Sequence, residues 1–586
     1  MGFFFAVQKG DSGLPEPMSP PSSEVIRPPE LLRTLARFLP VALILFGIAL
    51  RLAGYFAHRS LWGDEVSIAL NLRFRSFFGL FHHLDYEQTM PIPLLLAVKS
   101  LTTLFGFSEY VLRFLPLLAG CVLMVVTWPI FSRLFDQRIA LISLGLMAVY
   151  RPLIYYSSEL KQYGLDTLVT VVTLWLGLTV LQDEENSAWP RLILWGAIAV
   201  LLSQPSIFVL AAVGIAVAMD RRLLTSKQWR AYCASASVIW LMLFAGLFWF
   251  SYRPASRSPY MRAFWSSSFL YPAAPHFRQE LSKALFTVAG GQSFNHLRLF
   301  ILLLLFAVGL FGIFRNGGIK VLTVAAGPFL AIFAAAILKG YPIATRLVLF
   351  TAPLLFWIYA SGVTTVADFF PQRLRMGAVI ALSFGLFGLT AIASTRYAAH
   401  FPLREATRQL QQQMKSTDPT ATVYLTFGKY TQWAYYAGDW SHPEILKKRI
   451  DSASNCLFSM QLSYMGFPKT DNCSDIANSE ETKQGEIIGL PPSGPSEGLQ
   501  KEDEWASSEA QRIIASHSGH VWLFVPIYSN NESFGYLLQR HLLEKLQEEL
   551  EKRNAHLLGR RSVGDSIALQ YELQSPGKAT ASFTQN

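Results

Sequence analysis

Two adjacent carboxylates, Asp64 and Glu65, close the motif Leu61-Trp62-Gly63-Asp64-Glu65, directly after the first long apolar segment. A carboxylate held at a membrane surface can take a proton from a hydroxyl, which is general base chemistry. Ionisable groups near a bilayer core are costly and are functional candidates for that reason. The plain alternative is a solvated pair in a surface loop. Glu159 opens a second group, Glu159-Leu160-Lys161-Gln162-Tyr163. Its acid could order a substrate, a metal or the base, with Lys161, Gln162 and Tyr163 as candidate substrate contacts; interfacial anchoring by Tyr155, Tyr156, Tyr163 and Lys161 is the alternative. Lys339 and Arg346 bracket the third group, Tyr341-Pro342-Ile343-Ala344-Thr345-Arg346. A guanidinium presents a planar fork that matches two phosphate oxygens, although an arginine there could simply snorkel to the headgroups. Lys99 is a further candidate phosphate contact. His82, His83, Asp85 and Glu87 form a polar patch of metal-ligand types, but adjacent histidines lack helical ligand spacing. No cofactor is certain; a divalent metal is a candidate.

These groups need a frame. The chain has 586 residues, 52% of them hydrophobic and 15% charged. Soluble proteins carry about 25% charge, so much of this chain belongs in lipid. The net charge of +10 fits basic cytoplasmic loops. No stretch interleaves basic and stacking aromatic residues, so nucleic acid is not an expected partner. Residues 1–37 read as a disordered cytoplasmic tail. Residues 38–395 read as a membrane domain and residues 400–586 as a soluble α/β domain.

A membrane-crossing helix needs about 20 apolar residues. Spans are expected near 38–57, 110–131, 138–153, 164–182, 190–203, 205–219, 231–250, 298–314, 319–338, 343–362 and 375–395, about eleven in all. Arg27, Arg33 and Arg37 before the first span place the N-terminus in the cytoplasm. The short, proline-led segment 91–107 decides the parity. If it lies along the outer leaflet, the loops Ser132–Arg138, Asp220–Arg230, Arg315–Lys320 and Gln372–Arg375 all become cytoplasmic. Asp64, Glu159 and Arg346 then share the outer face. The loop 251–296 is rich in aromatics, and its Arg253, Arg257 and Arg262 could meet lipid phosphates. Pro205 marks a tight helical hairpin. After the last span, helices are expected at 404–414, 504–516 and 534–553, strands at 421–427, 520–526 and 566–573, and a loop at 478–502. Such alternation suggests a small layered domain. Of four cysteines, Cys121 and Cys233 read as small core residues, while Cys456 and Cys473 could pair in an oxidising compartment.

The motifs LWGDE after the first span, YYSSELKQYGLD after the third and YPIATRLVLFTAPL near a late span resemble the C-type (GT-C) membrane glycosyltransferases. The likeness is to the group containing protein O-mannosyltransferases, the lipid A aminoarabinose transferase and rhizobial galacturonosyltransferases. The PIP…LFGFSEYVLRFLP run and the LFDQR turn agree with it. The resemblance covers residues 38–395. It implies inverting transfer from a polyprenyl-phosphate sugar to a lipid, glycan or protein acceptor. It maps the family's first-loop acid onto Asp64 with Glu65 beside it, the second acid onto Glu159, and the phosphate-holding arginine onto Arg346. The chain departs from the pattern at Lys161, where arginine is common, and at Met90-Pro91, where a basic residue often precedes the proline.

The expected protein is therefore a polytopic α-helical enzyme of the plasma membrane with an extracytoplasmic site and C-terminal domain. In a lumen-facing setting, Asn531-Glu532-Ser533 would be a glycosylation acceptor. A transporter or flippase of a lipid-linked saccharide is the second reading, but transporters place polar groups near mid-span and repeat their halves. A membrane-anchored scaffold is the third, and it leaves the ordered acidic loops without a role.

Overall fold

The computed structural model describes residues 30–183, 186–291, 295–392, 403–417, 421–425, 430–464, 486–488, 499–516, 519–526, 534–563 and 566–573. The first helix is Glu30–Phe56. It starts right after Pro28-Pro29, so residues 30–37 are helical rather than disordered, and the apolar span within the helix is Phe38–Phe56; prolines are well suited to the edge of a helix start. The helix Gly63–Phe74 follows, carrying Asp64 and Glu65 in its first turn. Anions are favoured there by the helix dipole.

Among the described residues, six helices are long and apolar enough to cross a membrane, or seven if the bent pair Gln137–Val149 and Arg151–Ser158 counts as one crossing. This is fewer than the eleven expected. The helices Ile92–Phe105, Trp189–Leu202, Ser206–Ala218 and Arg375–Leu389 are apolar but short. Fourteen residues, as in Trp189–Leu202, reach only about 21 Å at 1.5 Å per residue. The expected segment 343–362 is also displaced. The chain is irregular around Arg346, and the apolar helix begins with a 3-10 turn at Leu349–Thr351 and continues as Ala352–Ala367, with proline in its first turn. The loop 251–296 contains short helices, the longest being Phe277–Val288.

The element His296–Ile337 breaks at Gly318, whose φ of 69° is outside helical space. Arg315 and Lys320, on either side of the break, pair with Asp368 and Asp220. Near its start Arg298 donates to the Leu389 carbonyl. Near its finish the Ala336 carbonyl accepts from Leu270 N–H. The chain therefore doubles back at Gly318, and glycine is the residue that tolerates this backbone. Gly309 lies against Ile358 and Gly312 against Thr365, so the first half packs closely on the helix Ala352–Ala367.

The C-terminal region holds a five-stranded sheet of order β2-β1-β3-β5-β4. Its strands are β1 (Thr422–Leu425), β2 (Glu486–Ile488), β3 (Gly519–Pro526), β4 (His556–Val563) and β5 (Ser566–Leu573). β1 pairs in parallel with β2 and β3, and β5 pairs antiparallel with β3 and β4. β2 falls within the stretch expected to be a loop, because a parallel partner strand supplies its hydrogen bonds. The helices Tyr430–Ala437 and Pro443–Tyr464 and strand β4 are not anticipated in the sequence. Cys456 is disulfide-bonded; Cys473 and Asn531 lie outside the described residues.

The sheet region is fastened to the membrane helices beside Asp64. Leu61 N–H donates to the Tyr436 hydroxyl at 2.7 Å, and Arg404 N–H to Ser60 Oγ at 3.0 Å. The Arg404 guanidinium reaches Glu109 at 2.9 Å, and Tyr86 donates to Asp451 at 2.8 Å.

Candidate active site

The site is built where the helix Gly63–Phe74, the turn before the helix Tyr163–Gln182 and the irregular segment around Arg346 meet. Arg346 Nη1 donates to Asp64 Oδ2 at 2.7 Å, across 282 residues of sequence. The pair is partly open, with side-chain exposures of 17% for Arg346 and 27% for Asp64. Two aromatic rings flank the guanidinium, Trp265 at 5.1 Å and Trp62 at 5.9 Å.

Glu65 faces the other way. Arg113 grips its carboxylate with Nε at 2.7 Å and Nη2 at 2.6 Å. Trp62 N–H caps the same group at 3.3 Å, and Leu160 N–H donates to it at 2.8 Å. The pair is buried, at 3% and 1% side-chain exposure. Arg113 also donates to the Arg59 and Ser60 carbonyls. Glu65 is thus a tie between the loop carrying Asp64 and the loop carrying Glu159. Its lone pairs are engaged, so its geometry suits positioning better than proton transfer.

Glu159 is buried, and neither carboxylate oxygen has a hydrogen-bond partner among the described residues. Burial, followed by the negative charge of Glu65, pushes its carboxyl up to about 7. Arg59 works against that rise; its guanidinium binds Ser158 at 2.8 Å and lies over the Tyr155 ring. Lys161 is buried and donates to Gln88 Oε1 at 2.7 Å. Burial holds its ammonium below the ordinary lysine value, partly offset by Asp64. Tyr163 interacts electrostatically with Arg346, Asp64 and Glu159.

The structure thus brings together Asp64, Glu65, Glu159, Lys161, Gln162, Tyr163 and Arg346. Lys99 stands apart, donating to the Leu72 carbonyl, because it lies within the helix Ile92–Phe105. Lys339 is exposed and sits 4.9 Å from the Tyr271 ring centroid. In the polar patch, Asp85 is committed to Arg75 at 2.7 Å. Among the described residues no group of three or more His, Cys, Asp or Glu is placed to hold a metal. Arg113, Gln88 and Arg59 were not among the sequence candidates. For Arg113 a signal existed, since a charge inside an apolar helix is itself unusual.

A family model described as dolichyl-phosphate-mannose-protein mannosyltransferase matches residues 90–251. The matched span includes Arg113 and the Glu159–Tyr163 group. Among solved structures, the chain is similar to ArnT from Cupriavidus metallidurans bound to undecaprenyl phosphate. That similarity has 13% identity and a TM-score of 0.46, covering 90% of this chain and 97% of the other. It is also similar to the oligosaccharyltransferase AglB from Archaeoglobus fulgidus in complex with an inhibitory peptide and a dolichol-phosphate. There the identity is 12% and the TM-score 0.47, covering 93% of this chain and 89% of the other. No curated protein matches the sequence.

Proposed function

We propose that this membrane protein transfers a sugar from a polyprenyl-phosphate donor to an acceptor hydroxyl of a lipid, glycan or protein. In this reading, Asp64 takes the proton from the acceptor hydroxyl. The acceptor oxygen bonds to the anomeric carbon while the bond from that carbon to the phosphate oxygen breaks. Polyprenyl phosphate departs with the electron pair, and attack opposite the leaving group inverts the anomeric centre. Arg346 receives the phosphate, with Lys161 adding positive charge, and such pre-placed donors act where charge develops. Glu159 is the second carboxyl, tuned near neutrality and free to accept a hydrogen bond from substrate. Glu65 and Arg113 hold the loops in register.

The observation that carries this reading is the Asp64–Arg346 contact. It joins a candidate base to a candidate phosphate ligand, each picked out from a different motif. The partial family match supports the donor class. The same reading puts the site and the region 400–586 on the extracytoplasmic face of the plasma membrane, with about eleven membrane-embedded helices. The basic groups Arg222, Arg315 and Lys320 gather at the far end of the bundle, paired with Asp220 and Asp368, as a cytoplasmic face requires.

The test is sugar transfer in reconstituted membranes with a panel of radiolabelled polyprenyl-phosphate sugars and acceptors from a membrane extract. Wild type should transfer from at least one donor, and Asp64→Asn should not, while remaining folded. Full transfer by Asp64→Asn would remove Asp64 as the base. Movement of the lipid-linked sugar across the bilayer without transfer would favour the transport reading.

A further inference from the structure

Beside Glu159 lies a line of buried polar atoms that the transfer chemistry does not use. Gln162 Oε1, Asp166 Oδ1 and Ser203 Oγ have no hydrogen-bond partner among the described residues. Their residues are 7%, 4% and 1% exposed. Each such orphan is destabilising and calls for a reason.

The arrangement is regular. Glu159, Gln162 and Asp166 are spaced three and four residues apart, and Asp166 N–H donates to the Gln162 carbonyl at 2.9 Å. Gln162 and Asp166 therefore share one face at the start of the helix Tyr163–Gln182. Ser203, at the turn after the helix Trp189–Leu202, interacts with the Asp166 carboxyl without closing a hydrogen bond to it. The line adjoins the site: Tyr163 interacts with Asp166 as well as with Asp64, Arg346 and Glu159. Tyr341 and Tyr252 also interact with Asp166.

What these atoms lack is donors. Gln162 Oε1 and Asp166 Oδ1 are acceptors, Glu159 adds two more, and Ser203 can give one proton at most. A sugar ring supplies several hydroxyl donors on one rigid frame. A prenyl chain supplies none, and a phosphate diester supplies none at neutral pH. We propose that Gln162, Asp166 and Ser203 form a subsite that reads the hydroxyl pattern of the transferred sugar, with Asp166 as the main specificity-determining residue. This rests on the glycosyl-transfer reading above. Sites built to hydrogen-bond a hydroxyl reject analogues that misplace it, because their buried groups are then left unpaired.

The experiment uses the full chain in nanodiscs. Transfer is measured from a panel of polyprenyl-phosphate hexoses that differ in the configuration of one ring hydroxyl. Inhibition by a short polyprenyl phosphate carrying no sugar is measured in parallel. For Asp166→Asn, kcat/KM for the preferred donor should fall about tenfold or more, the loss expected when a buried polar group is left without its hydrogen bond. The preference over the epimeric donor should shrink with it, while inhibition by the sugar-free lipid changes less than twofold. Ser203→Ala should show the same pattern at about threefold, as for a neutral hydrogen bond. Retained inhibition by the sugar-free lipid shows that each variant is folded. Equal losses for all hexoses, or an equal loss of sugar-free inhibition, would overturn the subsite and leave the transfer reading intact. A wild type that transfers from no donor would overturn both.

Discussion

The helix Tyr163–Gln182 ends in two carboxylate settings of opposite character. At its C-terminal end, Asp220 accepts from Arg222 at 2.9 Å and from Lys320 at 2.7 Å, and Arg222 also binds the Leu181 and Asp183 carbonyls. At its N-terminal end, Glu159 is buried with both oxygens unpartnered among the described residues. The two ends are separated by 20 residues, about 30 Å of helix. One carboxylate closes a network that holds helix ends together. The other is left open where Asp64 and Arg346 meet. The same contrast recurs within one turn: Glu65 is saturated by Arg113, Trp62 and Leu160, whereas Asp64 keeps one partly exposed partner. In the proposed reading, completed bonding goes with the structural acids Asp220 and Glu65, and incomplete bonding with Asp64 and Glu159.

The largest test of this contrast is at Asp64. Asp64→Asn should lower transfer by about 10²–10⁴-fold, the range for loss of a general base, with an unchanged melting temperature. Next is the saturated neighbour. Arg113→Ala strands Glu65 in the interior and should cost about 3–5 kcal/mol of stability, as breaking a buried pair does; thermal unfolding of the purified protein reads this. If Asp64→Asn destabilised as much as Arg113→Ala, the division between the two acids would fail.

Glu159 gives a pH signature. Its carboxyl titrates at about 7 in the fold against 4.5 ordinarily. Between those values the folded state keeps a proton that the unfolded state has released, so stability falls as pH rises through that window. Melting temperatures from pH 4.5 to 7.5 should show this decline in wild type and a shallower one in Glu159→Gln. The smallest effect belongs to the far end. Asp220→Asn should cost about 1 kcal/mol or less, as for partly exposed pairs, and leave transfer unchanged. The bond to Arg222 holds the Asp220 carboxyl well below its ordinary range. Its stabilisation is therefore present above the ordinary carboxylate pKa and lost as pH falls through the depressed value. Acid unfolding curves of wild type and Asp220→Asn should converge at low pH.

Asp64, Glu159 and Arg346 were legible because each is a charge at the edge of an apolar run, and loop parity put all three on one face. The roles of the two adjacent acids were not. Asp64 and Glu65 differ by one methylene, and what separates them is Arg113, 48 residues away from Glu65. Lys99 lies apart from these groups, and its bond to the Leu72 carbonyl is one that an amphipathic residue in a short apolar helix can make as readily as one to a phosphate. Apolar composition located the membrane-embedded helices, but helix length separates those that can cross alone from the shorter ones. Strand β4 escaped notice because it is an edge strand with adjacent arginines and a bulge between Leu557 and Gly559, so alternation is lost. Charged residues and bulges are usual at such edges.

The Asp64–Arg346 contact has a consequence for how a donor is held. Arg346 already carries an anion before any substrate arrives. A phosphate that takes its place performs an anion exchange, and the ionic gain and loss largely cancel. In the proposed transfer, the same displacement would uncover Asp64 at the moment a sugar is delivered, so the proposed base would become available only to a loaded site. Net affinity then comes from the prenyl chain and the sugar ring, and donor binding depends only weakly on ionic strength.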